Sequence, residues 1–213
     1  MMNVVEHSVE LIEHTSMAAL HVAKAARTCY QSDKPMKLSE AEDFVKMLIH
    51  KGHESPLEFA HIMFRITTSR DVTHELVRHR LASYAQESTR YCRYDKEFTV
   101  VRPVLFEEET SEYNQWLGSM SNAWSNYRTL FDMTKRAELA RSVLPGSTKA
   151  VIVMQMNMRE FRHFLRLRMA PAAHPDMCYV ASLCHAEAVQ HGLGVFLEDL
   201  QLPQWCWRNT VKE

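Results

Sequence analysis

Residues 57–69, LEFAHIMFRITTS, alternate so that Ala60, Ile62, Phe64 and Ile66 fall on one side and His61, Met63 and Arg65 on the other. A period of two puts one side against a core only if the backbone is an extended strand. The β-branched, apolar run TKAVIVMQMN (148–157) demands the same geometry, as do residues 3–12 and FTVVRPVLF (98–106), which Pro103 stops.

Between these strands the apolar spacing changes to that of helices. In SMAALHVAKAARTCY (16–30), Ser16 is the expected cap, with Met17, Leu20, Ala23 or Val22, and Ala26 facing inward. LSEAEDFVKMLIHKG (38–52) offers Ser39 and Glu42 as a capping box, a stripe of Phe44, Val45, Leu48 and Ile49, and Gly52 as the residue past the end. Ser69 and Asp71 start a helix through Val72, Leu76 and Val77.

Residues 112–145 hold Tyr113, Trp116, Leu117, Met120, Trp124, Tyr127 and Phe131 at helical spacing, which is core or a subunit contact. MREFRHFLRLRMA (158–170) reads as a basic helix, and residues 176–200 as a last helix weakened at Gly192 and Gly194. Strands alternate with more numerous helices but without βαβ regularity. The expected class is α+β: a small, twisted, mainly antiparallel sheet flanked by helices. No linker divides residues 1–213, so a single domain is expected.

The net charge of -1 argues against a protein built to coat nucleic acid or an anionic membrane. The amino-terminal stretch carries acids where a signal peptide needs Lys or Arg, and no apolar run nears the roughly 18 residues of a membrane helix. A cytoplasmic protein is expected. Cys29, Cys92, Cys178, Cys184 and Cys206 are odd in number and form no C-x-x-C, which implies reduced thiols and no zinc knuckle. His50 and His53, and His185 and His191, match no metal motif, so no metal is expected. The five glycines form no phosphate-cradling loop, so any phosphate must be held by side chains.

Two segments supply such side chains. If residues 85–91 of RHRLASYAQESTRY (78–91) are extended, Gln86, Ser88 and Arg90 share one side and Glu87, Thr89 and Tyr91 the other. An amide, a hydroxyl and a guanidinium in a row suit a phosphate or a pyrimidine edge, with Arg78 and Arg80 adding charge upstream. The alternative is an exposed basic turn. In NMREFRHFLRLR (157–168), Arg159, Arg162 or His163, and Arg166 share one helix face while Arg168 points roughly opposite. An anion at the helix start would relieve these cations; the alternative is a solvated basic face.

RHRLASYAQESTRY resembles the signature of the flavin-dependent thymidylate synthases: Arg-His-Arg, seven residues, Ser, then Arg-Tyr two residues on. GHESPLEFAHIMFRI, ARSVLP and NMREFRHFLRLR…AHPDM are similar to further segments of that family, in family order over about residues 20–180. The resemblance implies a homotetramer with active sites between subunits. It also implies conversion of dUMP to dTMP with bound FAD, methylenetetrahydrofolate as carbon donor and NADPH as reductant. FAD would meet His53, Ser55, Arg78, His79, Arg80, Gln86, Asn157, Arg159, His163 and His174. Glu75, Arg78, Gln86, Glu87, Ser88, Thr89, Arg90, Arg141 and Arg168 would surround dUMP, some from a neighbouring subunit. Arg168 is the expected catalytic residue, favouring negative charge at the uracil imide. Ser88 is implied as a ligand donor, because a nucleophilic serine needs a base partner.

The sequence departs from the family pattern at Phe59, where His is frequent, and at Glu75, where some members have Gln. It departs again at residues 176–180, Asp-Met-Cys-Tyr-Val. Competing readings are a pyrimidine-nucleotide hydroxymethylase on the same scaffold, a single-stranded nucleic-acid platform using Tyr84, Tyr91 and Tyr94, and a structural oligomerisation domain.

Overall fold

The computed structural model describes residues 1–32 and 34–200. The alternating segment forms β3 (His61–Ser69), in which Ile62, Phe64 and Ile66 are fully buried. β6 (Lys149–Asn157) likewise buries Ala150, Ile152, Met154 and Met156. These are the two central strands of a four-stranded antiparallel sheet ordered β2-β3-β6-β4, with β2 (Ser8–His14) and β4 (Ala82–Gln86) at its edges. With α-helices between the strands, the class is α+β as expected.

The chain groups into two compact units, each discontinuous in sequence. The first comprises Met1–Ser8, Ile66–Arg78 and Ala85–Ile152; the second comprises Val9–Arg65, His79–Tyr84 and the chain from Val153 onward.

In the first unit, β1 (Met2–Val5) pairs in parallel with β5 (Phe98–Val101). Residues 3–12 are therefore not one strand. The break is anchored at Glu6, whose Oε1 accepts from Arg102 Nε at 2.7 Å, and at buried His7, whose Nδ1 lies 2.8 Å from Thr68 Oγ1. Ser69 caps α3 (Arg70–Leu76), accepting from Val72 N at 3.3 Å. The aromatic stripe lies on α4 (Ser111–Thr134), and Trp116, Met120, Tyr127 and Phe131 enter a core with Tyr94, Phe98 and Val100. These four residues of the stripe are core, with Tyr113, Leu117 and Trp124 partly buried against them. Two indole N–H groups are satisfied there, Trp124 on the Tyr94 carbonyl at 2.6 Å and Trp116 on Ser147 Oγ at 3.2 Å. α5 (Ala137–Ala140) and a 3-10 turn (Arg141–Val143) bring the chain to Pro145.

The second unit contains α1 (Ala18–Thr28), α2 (Leu38–His50), α6 (Met158–Arg168) and α7 (Pro175–Gln190). Ser16 does not cap α1; Met17 holds that position at φ 52°. α2 begins earlier than Ser39 suggests, because Glu40 Oε2 accepts the Lys37 N–H at 2.8 Å and so fixes the first turn. Gly52, at φ 73°, takes the left-handed conformation a helix end requires, and Gly192 (φ 79°) does the same beyond α7. Cys29, Cys92 and Cys184 are free thiols. Cys206 lies outside the described residues.

Candidate active site

The signature segment is shared between the units: Arg78 ends the first unit's α3 region, residues 79–84 belong to the second, and residues 85–91 return to the first.

In the first unit, β4 stops at Gln86 and the chain turns instead of staying extended. The N–H groups of Tyr91 and Cys92 both donate to the Ser88 carbonyl, at 3.2 and 2.9 Å, which closes the turn. The expected two-sided row therefore ends at Gln86, and Ser88 and Arg90 meet inside one turn. Arg90 N–H donates to Ser88 Oγ at 3.3 Å, which leaves the hydroxyl hydrogen available as a donor.

Neighbouring groups fix this turn. Gln86 Nε2 donates to Thr73 Oγ1 at 2.9 Å, and Arg141 Nη1 donates to buried Thr89 Oγ1 at 3.3 Å. Glu87 plays a supporting part: its carboxylate accepts from Lys149 Nζ at 2.9 Å, Val151 N at 3.3 Å and Tyr94 Oη at 3.3 Å. Burial, with Glu87 beside it, pushes the Tyr94 hydroxyl well above its ordinary pKa, so it stays a donor. Arg90 is exposed with its guanidinium over the Tyr91 ring at 5.3 Å, and Arg78 is exposed at the end of the α3 region. Glu75 is half-buried on α3. The Ser88 hydroxyl, met by the Arg90 N–H, and the Arg141 guanidinium on Thr89 thus belong to one fixed turn, a donor chemistry that suits an oxygen-rich anion.

In the second unit the central group is His79, which is 4% exposed. Arg168 Nε donates to its Nε2 at 3.0 Å, and its Nδ1 faces Glu160 Oε1 at 3.2 Å. Both ring nitrogens are engaged within the protein. Burial lowers the imidazole pKa, and Arg168 and His163 push the same way against Glu160. The ring is therefore neutral near pH 7. The Tyr84 hydroxyl donates to the His79 carbonyl at 3.0 Å, and burial pushes that phenol up to about 12. His79, Glu160 and His163 offer three ligand atoms within 4.8 Å of one another. A cation there would meet the Arg168 guanidinium already bonded to the same imidazole, so the cluster works as a hydrogen-bond chain.

The basic face of α6 is largely neutralised by carboxylates. Arg162, expected beside Arg159 and Arg166 on a basic face that either meets an anion or is solvated, is fully buried. It donates to Asp199 at 2.6 and 2.7 Å, to Glu54 at 3.4 Å and to the Phe196 carbonyl. Burial raises the Glu54 pKa, but Arg166 and Arg162 outweigh it and hold the carboxyl below its usual value. Arg159 donates to Glu58 Oε1 at 2.6 Å. Asn157 caps the helix, its Oδ1 accepting the Glu160 N–H at 2.9 Å.

His53, Ser55, Arg80, Arg159, His163 and His174 are exposed in this unit, with His174 at the N-terminus of α7. Sequence reasoning missed Glu160, Thr73 and Lys149. For Glu160 a signal existed: Glu160, Phe164 and Arg168 recur every four residues on one face of α6.

Residues 10–191 match the family described as thymidylate synthase complementing protein. The flavin-dependent thymidylate synthase of Geobacter sulfurreducens is 36% identical over 168 residues, 75% of this chain and 72% of that protein. The one from Pyrococcus furiosus is 33% identical over 183 residues, 81% of this chain and 75% of the relative. Among solved structures, the Helicobacter pylori flavin-dependent thymidylate synthase, complexed with FAD and dUMP, superposes with a TM-score of 0.76 at 25% identity, covering 91% of this chain and 100% of the other. A UMP/dUMP methylase from Streptomyces cacaoi bound to 5-Br dUMP gives 0.76 at 26% identity, covering 92% and 95%.

Proposed function

The chain belongs to the thymidylate synthase complementing protein family, that of the flavin-dependent thymidylate synthases, and on this premise we propose how it methylates dUMP to dTMP with FAD. Methylenetetrahydrofolate serves as carbon donor and NADPH as reductant. The hydroxymethylase and nucleic-acid readings are not favoured beside relatives named for thymidylate synthesis.

The observation that supports the assignment of residues is the fixed turn after β4. Ser88 Oγ–H and the Arg90 and Arg141 guanidiniums supply donors for the phosphate of dUMP, and Gln86, held by Thr73, meets its pyrimidine. Arg78, Glu75 and Thr89 complete this set, with Glu87 holding the turn from behind. Arg168 is assigned to the uracil imide, where a permanently protonated guanidinium favours the anionic form of the ring. No cysteine is needed as nucleophile, and burial holds the Cys184 thiol protonated.

The donor chemistry of the second unit fits FAD. Exposed Arg80 and Arg159, Ser55 and the imidazoles of His53, His163 and His174 suit a pyrophosphate and a polar ring edge without a glycine loop. Arg78 and Gln86 join them in the proposal, Asn157 holds the start of α6, and His79 acts through Arg168. When bound, FAD supplies the two-electron reduction that makes the transferred one-carbon unit a methyl group. The protein acts as one catalytic domain in a homotetramer with sites between subunits, in the cytoplasm; none of its described helices is long and apolar enough to cross a membrane.

Release of tritium from C5-labelled dUMP tests this reading. Release that depends on FAD and falls in Arg168→Ala is expected; release that is intact in Arg168→Ala refutes the role given to that residue.

A further inference from the structure

We propose that Glu160 is a positioning residue that fixes the Arg168 guanidinium through the buried imidazole of His79. This rests on the reading of Arg168 as the group that meets the uracil. The Arg168 side chain is half-buried in the last turn of α6, and its Nε–H donates to His79 Nε2 at 3.0 Å. A guanidinium in a protein only donates, so Nε2 must carry a lone pair. The single proton of the neutral ring then sits on Nδ1, where it donates to Glu160 Oε1 at 3.2 Å.

Glu160 therefore selects the tautomer that can hold Arg168. Without a carboxylate at Nδ1 the opposite tautomer becomes competitive, and an N–H would then point at the Arg168 N–H. The link would become a repulsion.

The surroundings leave the three groups little freedom. Glu160 is 6% exposed, and its backbone is fixed by the Asn157 cap. The Phe164 ring, between Glu160 and Arg168 on the same helix face, meets the imidazole edge-on at 5.1 Å. The groups facing His79 are Glu160, Arg168, His163 at a ring separation of 6.0 Å, Phe164, and Tyr84 through the His79 carbonyl. A carboxylate in the first turn of α6 thus controls a cation in its last turn.

The test is a double-mutant cycle on the holoenzyme, with the dUMP dissociation constant measured by equilibrium dialysis. Glu160→Ala is expected to weaken dUMP about tenfold in the native background, the size of one lost charge-assisted hydrogen bond. In the Arg168→Ala background the same change is expected to matter by less than about twofold, since the pair acts as one unit. Equal losses in the two backgrounds overturn the proposal, because a general structural role does not depend on Arg168. If Glu160→Ala fails to fold, Glu160→Gln carries the cycle. It keeps an acceptor but no longer dictates the tautomer, so a loss of about threefold that vanishes without Arg168 is expected. If Arg168→Ala itself leaves dUMP affinity and tritium release unchanged, the underlying reading of Arg168 fails. If Arg168→Ala impairs both while the Glu160 variants match the native enzyme, only the positioning role fails.

Discussion

Replacing Arg162 with Met removes a guanidinium that the second unit has closed over completely. In the native protein it donates twice to Asp199, at 2.6 and 2.7 Å, once to Glu54 at 3.4 Å and once to the Phe196 carbonyl. Met fills much of the same volume but satisfies none of these acceptors. Asp199 and Glu54, with side chains 46% and 22% exposed, can recover water, whereas Phe196 is buried. Removing one partner of a buried ion pair costs about 3–5 kcal/mol, and partial rehydration places this case near the lower end, about 3 kcal/mol. For a chain of this size that corresponds to a fall in Tm of roughly 10 °C. Arg166→Met is the control, since Arg166 pairs with the same Glu54 at 2.9 Å but is 42% exposed. An exposed pair contributes less than about 1 kcal/mol. Thermal and urea unfolding of both variants, followed by circular dichroism, reads the difference. An Arg162→Met protein melting within about 2 °C of the native one, or a control equally destabilised, would refute the reasoning.

Three further outcomes are expected. Asn157→Ala removes the α6 cap and should lower unfolding stability by about 1 kcal/mol in urea titrations; no change would mean that the cap is replaced by solvent. Glu87→Ala frees the turn that holds Ser88 and Arg90, so dUMP affinity should fall about tenfold; unchanged dUMP affinity in equilibrium dialysis would contradict the supporting part given to Glu87. Stability should also fall in two steps as the pH is lowered. The His79 pKa is depressed below its ordinary 6.5, so the unfolded chain binds its proton first and stability drops as pH falls from 6.5 toward the lower folded value. Glu54 and Asp199 are held below 4.5 and 3.8, and the stability they contribute is lost as pH falls through their still lower folded values. Urea titrations across that range check the sign, and stability that increases on acidification would contradict it.

The alternation that identified β3 was readable because that strand buries one face, and burial leaves a period-two pattern; β6 was readable from its β-branched run. The helical spacing of Trp116, Met120, Tyr127 and Phe131 was readable for the same reason. Boundaries were less legible. Nothing local separates β1 from β2; the break is set by Thr68 and Arg102, about sixty and a hundred residues away. At Ser88 the sequence left a strand and a basic turn both open, because Gln-Glu-Ser-Thr-Arg suits either, and distant Arg141 and Lys149 fix its residues. The two basic clusters were legible as chemistry but not as geometry. Arg162 and Arg168 look alike in the sequence, yet one is buried on Asp199 and the other is held by His79. Helical periodicity placed them on different faces in advance, and the family motif pointed to Arg168.

The most direct test of the central claim is product analysis of the purified protein with dUMP, methylenetetrahydrofolate and NADPH, run with and without added FAD. Conversion of dUMP to dTMP that requires flavin and collapses in Arg168→Ala is the predicted result. A flavin-loaded protein that yields no dTMP, or yields 5-hydroxymethyl-dUMP instead, would contradict it.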